Sequence, residues 1–436
     1  MTLKVTNIVN WETGAAVVIF FTVYFLIVSE KIHRAVAALL GAGAVIWLGI
    51  VTQAEAVRSI DFNTIGLLVG MMIIVGITKR SGLFEFLAIW SAQKTKGNPI
   101  RILIALSSLT AIASAFLDNV TTVLLIVPVT FAITDELGLN PFPFLFSEVL
   151  ASNIGGTATL IGDPPNIMIG SGAGLGFLDF LFNLTPVIVV VFLCTLGLCA
   201  VIFRKDLQLA EEKKQTVLEF GSRDAHDYIK DYLLLKRSLT VLGLVIVAFV
   251  LHQWLGLESA TIALGGAALL MLIMPDFEPE EALLTVEWPT IFFFIGLFIV
   301  VGALEKVGVI RFLAHQAIAL TGGKPHVMAM TVLWTSALFS SFVDNIPFTA
   351  TMIPLLKSVG TLSGADLGPL WWALSLGACL GGNGTLIGAS ANLVVAGIAA
   401  RQGLTITFKE YFKYGFPLML VSIIISTVYI WVRYLT

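Results

Sequence analysis

Twelve apolar blocks, most of them free of charge, dominate this chain of 436 residues. They run at about 14–28, 35–51, 62–78, 102–133, 143–170 and 177–203, then at about 238–254, 260–274, 288–304, 327–356, 369–399 and 412–432. A helix needs about 20 residues to cross a bilayer, and the blocks come in that size. Hydrophobic residues make up 57% of the chain and charged ones 12%, against roughly half and about a quarter in a soluble domain. The expected class is an all-α polytopic membrane protein, multi-pass in the inner (plasma) membrane, and an ordinary water-soluble enzyme is excluded.

The 25 Lys and Arg stand against 28 Asp and Glu, a formal net charge of -3. No basic surface exists to neutralise the phosphates of a nucleic acid, so DNA and RNA are not expected partners. Cys194, Cys199 and Cys379 have no metal-ligand spacing and read as small packing residues. The block starting at Ala15 has no small-residue cleavage site after it and reads as a first span, not a signal peptide.

A polar stretch, 204–237, holds eight Lys or Arg and seven Asp or Glu and separates the first six blocks from the last six. The halves, 1–203 and 238–436, match in sequence as well as in hydropathy. Ser114-Ala-Phe-Leu-Asp118-Asn119 aligns with Ser340-Ser-Phe-Val-Asp344-Asn345 at an offset of 344 − 118 = 226. At that offset Asn153 to Gly162 falls on Cys379 to Gly388, Asn166 on Asn392, and Gly70, Gly76 and Gly82 on Gly296, Gly302 and Gly308. The chain is a tandem duplication, a frequent construction in secondary transporters.

Ile102 to Thr134 is 33 residues, about 50 Å as one helix. That is too long for a single span, so the block must fold back near its only charge, Asp118. Two legs leave the parity of crossings unchanged, and five other spans make each half odd, which implies inverted repeats with about 10 transmembrane helices, two re-entrant hairpins and two unwound helices. Lys31, Arg34, Lys79, Arg80, Lys94, Lys96 and Arg101 share a side with the basic connector, with Lys4 and Arg58 opposite, so the connector is expected in the cytoplasm. Lys306, Arg311, Lys324 and Lys357 of the second half, with Asp276 and its acidic neighbours, fit that orientation less well. Ser81 to Gln93 and Val307 to Leu320 are too short to cross and are expected along the interface, or else as extensions of the preceding helices.

Broken helices occur at membrane depth only where they are buried or line a cavity. Four breaks are expected: at Asp118-Asn119, at Asp344-Asn345, between Gly155 and Asn166, and between Gly381 and Asn392. The last two carry paired glycines, and the first copy adds Asp163-Pro164-Pro165. A carboxylate in the bilayer interior costs at least about 2.5 kcal/mol, and here that is incurred at two equivalent positions. Uptake of a proton or a cation relieves it, which is the behaviour of a proton-coupled site. Asp118 and Asp344 are therefore the leading coupling candidates, with capping of the following helix as the structural alternative. Asp163 and Glu148, opposite Ala389 and Leu374, are candidates of the same kind present in one half only. Asn119, Thr121, Thr159 and Asn166, with Asn345, Asn383, Thr385 and Asn392, supply neutral oxygens and donors for a hydroxyl-bearing solute or for sodium. The Gly-rich stretches lack the Gly-Lys-Ser/Thr ending of a phosphate-binding loop, so ATP hydrolysis is not indicated. No cofactor and no metal site is expected.

The stretches Phe116-Leu-Asp-Asn-Val-Thr-Thr and Glu148 to Asn166 resemble the ArsB/NhaD permeases of the ion transporter superfamily, a group with arsenite efflux permeases, sodium/proton antiporters and the melanosomal P protein. The resemblance covers nearly the whole chain. It implies a scaffold domain and a transport domain in which two opposed hairpins and two unwound helices meet. Related dicarboxylate carriers have Ser-Asn-Thr at the hairpin tips, where this chain has Asp118-Asn119 and Asp344-Asn345. That exchange disfavours a dianion and favours a proton, a cation or a neutral hydroxide. The expected function is proton-coupled efflux of arsenite or antimonite, with sodium/proton antiport second and carboxylate transport third. A soluble ATPase subunit and a homo-oligomer are open as partners. Two membrane aspartates also suit an intramembrane protease, but neither follows a Gly-x-Gly motif.

Overall fold

A computed structural model describes residues 10–29, 31–207, 224–274 and 278–436. Lys4, Asp276 and positions 208–223 of the connector lie outside the described residues. In the first half the helices are α1 Trp11–Ser29, α2 Arg34–Trp47, α3 Gln53–Ser59, α4 Phe62–Lys79, α5 Leu83–Lys94, α6 Pro99–Ser114, α7 Asn119–Leu137, α8 Phe142–Thr157, α9 Pro164–Ala173, α10 Phe177–Asn183 and α11 Thr185–Ile202. The second half holds α12 Tyr232–Leu255, α13 Ser259–Leu272, α14 Pro279–Leu283, α15 Trp288–Lys306, α16 Val309–Thr321, α17 Pro325–Phe342, α18 Asn345–Ser363, α19 Gly368–Gly381, α20 Ser390–Arg401 and α21 Phe408–Ile430.

The fold is all-α and polytopic. Among the described residues, seven helices are long and apolar enough to cross a membrane, α1, α4, the hairpin leg α7, α11, α12, α15 and α21, and five shorter apolar helices accompany them. The count falls below the ten expected from hydropathy partly because α2 and α13 have 14 residues each, about 21 Å of helix. The backbone chemistry of each boundary is local. Asp61 accepts from the N–H groups of Asn63 and Thr64 at the start of α4, and Asn98 accepts from Arg101 N–H at the start of α6. Proline at the first turn suits α6, α9, α15 and α17, because the N–H it removes has no intrahelical partner there.

The two short pieces that follow α4 and α15 are separate helices, α5 and α16, and not extensions of them. Gly82 at φ 80° and Gly308 at φ 82° turn the chain between them, a left-handed conformation that a side chain disfavours. Helix α5 packs on α6, on α7 and on the short 3₁₀ turn Ala225–Tyr228 at the end of the connector.

Between the halves the most extensive packing pairs α4 with α13 and α15 with α2. Glycine makes both contacts possible. A Cβ on Gly70 would come within 2.4 Å of the Ala263 backbone, and one on Gly296 within 2.6 Å of the Ala38 backbone. Within each half the first hairpin leg packs on the first part of the broken helix, α6 on α8 and α17 on α19. Gly155 lies against the Ala111 carbonyl and Gly381 against the Ala337 carbonyl.

Candidate functional site

The folding back expected near Asp118 occurs over 115–118, and the second hairpin turns over 343–344. Each aspartate caps the helix that leaves its tip. Asp118 accepts from Thr121 N–H at 2.9 Å and from the Thr121 hydroxyl at 2.5 Å, while Asp344 accepts from Ile346 N–H at 3.0 Å. Capping fixes the carboxylates but does not exhaust them, because each oxygen carries two lone pairs.

The broken helices lie beside these tips. Helix α8 runs two residues past Gly155, to Thr157, and the chain is irregular over 158–163 before Pro164 opens α9; the second copy is irregular over 382–389. Two hydroxyls pin each break to its hairpin. Thr159 donates to the Ala115 carbonyl and Thr385 to the Ser341 carbonyl. Ser114 donates to Ser152 O at 2.7 Å and Ser341 to Gly381 O at 2.9 Å. Two asparagines hold the unwound carbonyls: Asn166 donates to Thr157 O and Thr159 O at 3.0 and 2.9 Å, and Asn392 to Gly382 O and Thr385 O at 2.8 and 2.9 Å. Carbonyls left without helical partners are costly when buried, so these two asparagines, with four bonds between them, are what permits the helices to break.

A chain of amides then links the halves. Asn153 donates to the side-chain oxygens of Asn383 at 2.8 Å and Asn392 at 3.0 Å, and receives the Asn119 amide at 3.1 Å. Asp163 stands between the two tips. It receives Asn119 at 3.4 Å from the first hairpin and Asn345 at 3.3 Å from the second. Both bonds are long beside the usual 2.9–3.0 Å, and Asp163 makes no side-chain cap to its own helix. The carboxylate is fully buried.

Asp118, Asn119, Asp163, Asn345, Glu287 and Arg34 line a cavity of about 20 Å³, room for about one water-sized solute. A larger cavity of about 340 Å³ adjoins it, lined by His33, Arg34, Phe342, Asp344 and Ser390. Arg34 and Ser390 line both. Four carboxylates and one guanidinium therefore line the two cavities.

Of the residues singled out from sequence, Asp118, Asp344, Asp163, Asn119 and Asn345 come together around these cavities. Asn166, Asn383 and Asn392 form the layer behind them, and Thr121, Thr159 and Thr385 direct their hydroxyls to the tips and breaks. Glu148 is placed elsewhere, buried between α8 and α7 with Thr130 donating to it at 2.6 Å. Arg34, counted from sequence only toward the orientation of the chain, also reaches inward, its guanidinium contacting Asp344 and Ser390. Asn153, Glu287 and Thr290 were not singled out. The repeat held a signal for Glu287, since Asp61 is its equivalent at the 226 offset and each acid receives a threonine hydroxyl three residues on, at 3.1 Å from Thr290 and 2.7 Å from Thr64.

Residues 24–377 match the family described as citrate transporter. An uncharacterized transporter of Mycobacterium tuberculosis is 45% identical over 425 residues, covering 96% of this chain and 98% of that one. The human P protein is 35% identical over 506 residues, 98% of this chain and 60% of its own length. Among solved structures, the YdaH transporter of Alcanivorax borkumensis shares the fold at a TM-score of 0.59 and 14% identity, with 97% and 98% of the two chains covered. Its relatives and its helices make this a multi-pass membrane transporter of small molecules and not an enzyme; the chain belongs to the citrate-transporter family.

Proposed function

We propose that this transporter exchanges protons for a small inorganic cation, with Asp118, Asp163 and Asp344 as the groups that hold proton or cation in turn. The observation that carries the reading is the charge around the site: three carboxylates on a cavity of about 20 Å³, a fourth on the larger cavity that shares Arg34 and Ser390 with it, and Arg34 as the one Lys or Arg among the described lining residues. Like charge disfavours a tricarboxylate such as citrate in such a site, while a monovalent cation or a proton is attracted to it. The amides of Asn119, Asn153, Asn166, Asn345 and Asn392 already donate within the protein, and the side-chain oxygens of Asn119, Asn153, Asn166 and Asn392 already accept, so the acceptors left for a solute are the carboxylate oxygens of Asp118, Asp163 and Asp344. Oxygen acceptors suit sodium or lithium. Arsenite or antimonite is the second reading, favoured by the same acceptors, since a neutral trivalent hydroxide brings its own three O–H donors.

Two inverted halves, 1–203 and 238–436, joined by a cytoplasmic connector at 204–237 in the inner membrane, are the architecture that goes with this reading. The meeting of both hairpin tips at Asp163 supports it. The test is collapse of an imposed pH gradient in proteoliposomes on addition of sodium, lithium or arsenite. Wild-type protein is expected to respond to sodium or lithium, and Asp118→Asn combined with Asp344→Asn to reduce the flux at least about 100-fold. An unchanged flux in the double variant would overturn the assignment, and a response to arsenite alone would select the second reading.

A further inference from the structure

Arg34 opens α2, yet its guanidinium lies among groups from three other elements. Nη1 is 2.5 Å from Ser390 Oγ and 3.4 Å from Asp344 Oδ2, Nη2 donates to Thr290 Oγ1 at 3.2 Å, and the guanidinium carbon sits 5.2 Å from the centre of the Phe293 ring. Thr290 in turn donates to Glu287. Thr290 and Phe293 belong to α15, the helix packed on α2, so one side of the guanidinium is rooted in that pair. On its other side are Asp344, at the second hairpin tip, and Ser390, the first residue after the second break.

We infer that Arg34 is a tethered stand-in for the transported cation: it neutralises Asp344 while the carrier is empty and gives that carboxylate up when a proton or cation arrives. The inference rests on the proton/cation reading above. Three observations carry it. First, the hold is of a kind that a small ion can displace. A strong guanidinium–carboxylate pair is bidentate at about 2.7–2.9 Å, whereas here a single nitrogen approaches Asp344 at 3.4 Å and most of the contact passes through Ser390, whose hydroxyl donates to Asp344 at 2.7 Å. Second, Arg34 lines both the small cavity and the larger one beside it, so an ion entering from the larger space meets the guanidinium and Asp344 together. Third, the device exists at one tip only. The equivalent of Ser390 is Pro164, and Asp118 is held by Thr121 without an arginine. Between two related hairpins, this makes the second the one whose release depends on its load.

The test uses full-length protein in proteoliposomes, with sodium-driven and lithium-driven proton flux read as KM and kcat separately. Removing the internal competitor in Arg34→Gln is expected to lower the cation KM about tenfold, while Arg34→Lys, which keeps the charge but not the fork that spans Ser390 and Thr290, lowers it by no more than about threefold. Ser390→Ala weakens the bridge and is expected to fall between them. A purely structural role lowers kcat in Arg34→Gln at unchanged KM, and that result, in protein that melts cooperatively, overturns the inference alone. No cation-driven flux from wild-type protein overturns the proton/cation reading and this inference with it.

Discussion

Asp163 is the residue on which the site turns. Its equivalent in the other half is Ala389, so duplication did not require it, yet it receives an amide from each hairpin tip. Replacing it by asparagine keeps size and shape while removing the charge and setting amide against amide. Asp163→Asn is expected to reduce proton-coupled flux by about 100-fold or more while leaving a folded protein, read by proteoliposome assay beside a thermal melt; flux within about twofold of wild type would remove Asp163 from the mechanism. Asp118, Asp344 and Asp163 were visible in sequence because charge is rare in apolar blocks and expensive there. Asn153 was not visible as the hub of the amide chain, because a neutral polar residue opposite a cysteine in the repeat carries no such cost. Arg34 was not visible as a site residue for a different reason. At the end of an apolar block, sequence cannot say whether a long side chain turns outward to water or inward to a carboxylate.

At the level of elements, repeated glycines carry the architecture, and equivalent ones do not do equal work. Gly82 and Gly308 both adopt positive φ. A Cβ on Gly82 would come within 2.0 Å of the Tyr228 carbonyl, while one on Gly308 would meet nothing within 4 Å. Gly308→Ala is therefore expected to cost only the left-handed backbone penalty, about 1–2 kcal/mol, and Gly82→Ala to cost more, about 3 kcal/mol in all, because the end of the connector must also shift. Denaturation of the detergent-solubilised variants checks this, and equal losses would show that the Tyr228 contact contributes nothing. The hairpins were legible as elements because a 33-residue apolar block is too long to cross once. The exact ends of the breaks were not, because they depend on whether Asn166 and Asn392 reach the freed carbonyls and whether Thr159 and Thr385 reach the hairpins.

Across the whole molecule, the halves are joined both by helix packing and at the surface. Lys306 at the end of α15 lies 2.6 Å from Glu55 of α3, and this contact, with help from Thr52, lowers the Glu55 carboxyl from its ordinary 4.5 to about 2. A depressed folded-state value means that the contribution to stability is complete above about pH 4.5 and disappears as pH falls toward 2. Both partners are exposed, so the effect is small. The expected outcome is a difference in melting temperature between wild type and Lys306→Met that is constant above pH 4.5 and vanishes on acidification; a difference that persists at pH 2 would assign it to packing instead. The sequence by itself determined the membrane class, the duplication and the buried acids, because these follow from hydropathy, self-similarity and the energy of charge in lipid. Only the tertiary structure decided that α4 pairs with α13 and α15 with α2, that Asp163 joins the two tips, and that Arg34 belongs to the site. Those are contacts between residues far apart in the chain, and nothing in local sequence records which carbonyl a glycine will touch or which carboxylate an arginine will reach.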